Sequence, residues 1–157
     1  MTGIPSKRLD DIAARLDATI ASADATLVAA APEFADELLA LGDAILEIWL
    51  TAHNAIPTMR IVEAFRSLAL QRQGARGDAS FNACRETCRE LVYHRNLVCL
   101  DPAHPDTARR LRLGAMVARH LALFIGGKLE VAGLGEFCCA SRPLRSHEPN
   151  MQPAEIA

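Results

Sequence analysis

The run FNACRETCRELVYHRNLVC, residues 81 to 99, sets Cys84, Cys88, His94 and Cys99 on what the helical period reads as one helix. Cysteine thiolates are nucleophiles and soft metal ligands, so the first chemistry to weigh is a metal or thiol site. Cys84 and Cys88 stand one helical turn apart and can reach one ion, and Cys138 and Cys139 complete a set of four if the last segment folds back. The candidate metal ligands are therefore Cys84, Cys88, Cys138 and Cys139. His94 lies about 240° round the helix from Cys88 and cannot easily join them.

Spacing and position weigh against a metal. Structural zinc sites usually begin with closely spaced cysteines in a loop or turn, not on a helix face. Projection places Phe81, Cys84, Cys88, Leu91, Val92, Val98 and Cys99 in one apolar sector about 120° wide. Free cysteine packs as a small hydrophobe and is among the most buried residue types, so core filling is the leading reading. The cofactor expectation is none, with a metal ion as the alternative and redox switching at the Cys138, Cys139 pair behind it.

Arg95 falls in the middle of that sector, where an unpaired guanidinium is costly. The favoured reading is a salt bridge to a carboxylate of the second helix, Asp43 or Glu47. The functional reading is that Arg95 closes an apolar pocket and binds the acid group of a small anionic ligand.

Other constellations are weaker. Asp36, Asp43, Glu47 and Asn54 share one stripe, and Glu86, Glu90 and His94 another; neither has the Glu-x-x-His spacing of a di-iron bundle, and each reads as a solvated helix face. Arg109, Arg110, Arg112, Arg119 and His120 ring the polar side of the fifth helix, with Arg85 and Arg89 adding to the field. Stacking aromatics and a recognition helix after a tight turn are missing, so nucleic-acid binding rests on charge alone. No phosphate loop, nucleophile elbow or His-Glu-x-x-His occurs, which leaves an enzymatic activity without support.

These residues must be positioned by helices. The chain has 157 residues, 50% hydrophobic but only 4% aromatic, and its abundant Ala and Leu suit closely packed helices. Periodicity, caps and breakers predict an all-α, single-domain bundle of five or six helices, over about 7–30, 33–54, 58–73, 80–100 and 105–126, with a short weak sixth over 128–140. Residues 1–140 form the bundle in this reading, and 141–157, rich in Pro and polar residues, a disordered C-terminal tail.

The second helix is apolar over most of its circumference, with Leu39, Leu46 and Leu50 widening its face; the fifth carries the ladder Gly114, Ala118, Ala122, Gly126. Such surfaces either centre a bundle or meet a second copy. The candidate interface is thus Leu39, Leu46, Leu50, Gly114, Ala118 and Ala122.

Formal net charge is −2, yet residues 1–55 carry three basic and nine acidic side chains, and residues 56–128 twelve basic and six acidic. Charge so divided can steer a partner, bind an anion, or join the two halves across a fold or oligomer. The start resembles no secretory signal, no apolar run approaches a membrane span, and five cysteines lack a disulfide pattern. The expectation is a cytoplasmic helical interaction or regulatory module, acting through protein association as a homodimer, without membrane partners. The alternative is a thiol, metal or small-anion sensor using Cys84, Cys88, Cys99 and Arg95; a nucleic-acid-binding regulator stands third.

Overall fold

A computed structural model describes residues 5–134. Its helices are α1 (Pro5–Ala21), α2 (Asp24–Ala29), α3 (Ala31–Ala52), α4 (Arg66–Gly77), α5 (Arg85–Leu100) and α6 (Thr107–Ala132), with a 3₁₀ helix over Ala79–Cys84 leading into α5. The fold is the all-α bundle of the sequence reading. Among the described residues no strand occurs, and no helix is long and apolar enough to cross a membrane.

The most apolar helix is the central one. α3 packs against α1, α4, α5 and α6, which explains why it is apolar nearly all round without recourse to a second subunit. Two apolar clusters lie along it. One gathers Ile45, Trp49 and Leu50 with Leu70, Phe81, Cys84, Cys88, Leu121 and Ile125; the other gathers Leu38 with Leu16, Leu27, Leu91, Val98, Leu111 and Ala115. α6 threads both clusters, and its small residues admit its neighbours: a Cβ on Gly114 would stand 3.1 Å from Leu38 and 3.3 Å from His94.

Three boundaries depart most from the expected ones. The first predicted helix breaks at Ser22, where the Ser22 hydroxyl donates to the Ala18 carbonyl and Ala23 turns extended. Arg112 of α6 closes the break, donating to the carbonyls of Ile20 and Ser22 and pairing with Asp24. No local residue signals this.

The helix expected over 58–73 forms only from Arg66. The preceding backbone is instead satisfied by side chains: Gln73 accepts from the Thr58 N–H and donates to the Ile56 carbonyl, both at 2.8 Å. Arg66 donates to the Thr58 carbonyl at 2.8 Å, and Val62 and Phe65 bond each other reciprocally around Glu63 and Ala64, both at positive φ. Ile61, which falls within the expected helix, is consequently left exposed.

The fifth predicted helix does not end at Gly126-Gly127. α6 runs on to Ala132 and stops at Gly133, whose left-handed φ of 71° closes the end. Lys128 to Ala132 therefore belong to α6, not to a separate sixth helix. The rest of the expected 128–140 helix beyond Leu134, with the 141–157 tail, lies outside the described residues.

Candidate functional site

Cys84 and Cys88 do face inward, each only 1% exposed, in the cluster with Trp49 and Phe81. The Cys84 thiol donates to the Phe81 carbonyl at 3.2 Å, a carbonyl that also accepts from Gln71 Nε2. The Cys84 thiol beside it, burial, and the nearby Asp43 charge push the Cys88 thiol well above its ordinary range. At neutral pH Cys88 is therefore a protonated, packing thiol. Cys99 is half-buried and sits on the other apolar cluster, so one helical face sends its three sulfurs to two separate places. Among the described residues no three His, Cys, Asp or Glu side chains gather closely enough to share an ion; Cys138 and Cys139 lie outside them.

Arg95 reaches α3 as expected, but at Asp36 and not at Asp43 or Glu47. Its Nε and one terminal nitrogen lie 3.1 Å from Asp36 Oδ1, a further bond runs to Asn96, and the guanidinium stands 5.9 Å from the Phe65 ring centre. The reason is length: the stem crosses the apolar sector and delivers the charge to the rim, where Arg95 is 30% exposed. An acidic ligand here would first displace Asp36.

The acidic stripe of α3 is paired along much of its length, with Asp36 still 62% exposed and Asn54 exposed. Asp36 pairs with Arg95, Asp43 accepts from the Ser67 hydroxyl, and Glu47 pairs with Arg66 at 3.1 Å. Burial raises the Asp43 carboxyl above its ordinary value, against the lowering by Ser67 and Arg66. Four ion pairs join the acidic first third to the basic middle: Glu47 to Arg66, Asp36 to Arg95, Asp24 to Arg112 and Asp17 to Arg119. Much of the charge polarity in the sequence is thus spent inside the fold.

His94 faces a groove between α5 and α6, lined also by Glu90, Met116 and His120. Its Nδ1 is buried without a hydrogen-bond partner, and burial lowers its pKa. At the other end of α6, Lys128 donates to Asp78 and Ser80, both at 2.7 Å, beneath the Trp49 and Phe124 rings. That bond to Lys128, more than any other influence, holds the Asp78 carboxyl down at about 2.

The candidate interface residues are mostly consumed by the chain itself. Leu46, Leu50, Gly114, Ala118 and Ala122 are buried among its own helices, and Leu39 is half-buried. What α6 leaves outside is its opposite face: Leu113, Met116, His120, Leu123 and Val131 are all exposed. This strip is absent from the expected interface, although its intervals of three and four are visible in the sequence beside the small-residue ladder. A second surface was also missed. Ile56, Met59 and Ile61 project from the loop before α4, next to Arg60, Arg72 and Arg76.

No protein-family model, curated protein or solved structure matches the chain.

Proposed function

We propose that the chain is a cytoplasmic association module, regulatory in character, that works as a homodimer through the outer face of α6. One observation carries this reading. From Leu113 to Val131 the solvent side of α6 runs Leu113, Met116, His120, Leu123, Gly127, Val131, a strip about 27 Å long without a charged residue. A solvated helix normally spends that face on charge, and apolar residues at alternating three and four spacing are the seam of a helix pair.

The strip is also complementary to itself. An antiparallel copy, with its two-fold axis between His120 and Leu123, lays Met116 over Gly127 and His120 over Leu123, and brings Leu113 near Val131. Met116 then meets a glycine, and one strip supplies both sides of the contact, as in an isologous interface. The groove holding His94 borders the same strip and would be covered with it. Nothing favours the sensor reading to the same degree, since Cys84 and Cys88 are both enclosed and Arg95 is already paired.

Sedimentation velocity at micromolar protein tests the proposal. A dimer is expected for the wild type, and a monomer of unchanged helical circular dichroism for Met116→Glu/Leu123→Glu. A wild type that sediments as a monomer throughout, or a double variant that stays dimeric, removes it.

A further inference from the structure

The geometry points to a second contact surface, separate from α6: the loop before α4 and the exposed side of α4 form a docking patch for an anionic lipid bilayer. The loop is fastened, not loose. Gln73 grips it at Ile56 and Thr58, Arg66 holds the Thr58 carbonyl, and the Thr58 hydroxyl accepts from the Arg60 N–H at 3.1 Å. This polar scaffold holds Ile56, Met59 and Ile61 outward, 88%, 80% and 65% exposed. Single exposed aliphatics are ordinary, but Ile56 and Met59 line one hollow, with Ile61 exposed two residues on, and the solvation of these tips on a braced backbone gains the fold nothing.

Beside them stand cations without counter-charges. Arg60 and Arg76 line one hollow with Ile56 and Met59, and Arg76 lines the next with Arg72 and Asn82. No carboxylate lines either hollow. Arg66, Arg89, Arg95, Arg112 and Arg119 each hold an acidic partner, whereas among the described residues Arg60, Arg72 and Arg76 hold none.

Aliphatic tips flanked by free guanidinium groups match a surface that is apolar a few ångströms beneath a layer of phosphate. The tips enter the acyl boundary, and the arginines, with their bidentate fit to phosphate, stay at headgroup level. Single-stranded nucleic acid would instead call for stacking rings, and none lines either hollow; duplex binding is separated by the test below. A peripheral contact of this kind needs no spanning helix.

The test is co-sedimentation of the full chain with vesicles of phosphatidylcholine alone or mixed with phosphatidylserine. Binding is expected to the mixed vesicles only and to weaken with salt. Arg72→Ala/Arg76→Ala should lower the partition roughly thirtyfold, given the usual worth of a basic residue near an anionic leaflet. Ile56→Ser/Met59→Ser should lower it as well, with both variants keeping wild-type circular dichroism. The proposal is overturned by no binding to the mixed vesicles, by equal binding to both, by binding indifferent to the Ile56/Met59 change, or by salt-sensitive retention on duplex DNA without vesicle binding. The Met116→Glu/Leu123→Glu variant serves as a control, because its vesicle binding reports this patch whether or not α6 dimerises.

Discussion

Arg112 of α6 donates a hydrogen bond to the backbone carbonyl of Ser22 at 2.6 Å, joining residues 90 positions apart. With its bond to the Ile20 carbonyl and its pair with Asp24, this one guanidinium satisfies the end of α1 and faces the first residue of α2. Carbonyls at a helix end lack intrahelical donors, and a charged donor is the strongest substitute. Arg112→Met, which keeps the stem and loses the donors, should cost about 2 kcal/mol in urea unfolding. Arg112→Lys should recover only part, since an ammonium lacks the planar fork. A change below a few tenths of a kcal/mol would mean the break at Ser22 closes without it.

A Cβ on Gly74 would stand 2.5 Å and 2.7 Å from two ring carbons of Phe81. That ring cannot yield easily: it is fully buried, stacked on Trp49 at 5.6 Å and edge-on to Phe124 at 6.1 Å. Alanine gains up to about 1 kcal/mol of helix propensity over glycine, but overpacking a core costs about 1–3 kcal/mol. Gly74→Ala should therefore be net destabilising. Gly42→Ala meets only the Leu91 Cδ2 methyl at 2.5 Å, with the next atom at 3.9 Å, and a side-chain tip can swing aside. Thermal unfolding should rank Gly74→Ala clearly below Gly42→Ala.

Burial lifts the Asp43 carboxyl above its ordinary 3.8. A carboxyl with a raised folded pKa binds its proton more tightly when folded. Its contribution favours the fold fully below about pH 3.8 and is lost as pH rises through the raised value. At neutral pH the buried charge is a net cost. Asp43→Asn still accepts from Ser67 and removes that cost, so it should be the more stable protein at pH 7, with the difference shrinking as pH falls. Urea titrations across that range measure it; a constant difference at every pH would show the carboxyl to be unperturbed.

In a Cys138→Ser/Cys139→Ser background, Cys99 should react first with a disulfide reagent under native conditions. Cys84 and Cys88 should react at the rate of global unfolding, because both are enclosed and Cys88 resists ionisation. Fast native labelling of Cys84 or Cys88 would contradict the buried placement.

Elements with strong periodicity and clear stops were legible. α3 and α5 fall within a few residues of expectation, because Pro32, Pro57 and Asp101-Pro102 act locally. Boundaries set by distant side chains were not. The break at Ser22 depends on Arg112, and the extended 56–62 segment on Gln73, partners that no local pattern reveals. Gly126-Gly127 misled in the other direction: inside α6 their missing side chains are tolerated, with the nearest heavy atom to a Gly126 Cβ being Leu9 at 3.9 Å. The inward turn of Cys84 and Cys88 was readable from the apolar sector. The partner of Arg95 was not, because Asp36, Asp43 and Glu47 share one stripe and only the crossing of α5 over α3 selects among them.

The pairing of Asp17 with Arg119 spans 102 residues, and α1 packs chiefly on α6. During synthesis the acidic N-terminal stretch leaves the ribosome long before the helix that neutralises and covers it. Until α6 has been made, α1 can pack mainly on α3, to which Arg15 ties it through Glu37. A chain ending before α6 would therefore lack the main packing partner of α1 and both arginines that pair with Asp17 and Asp24.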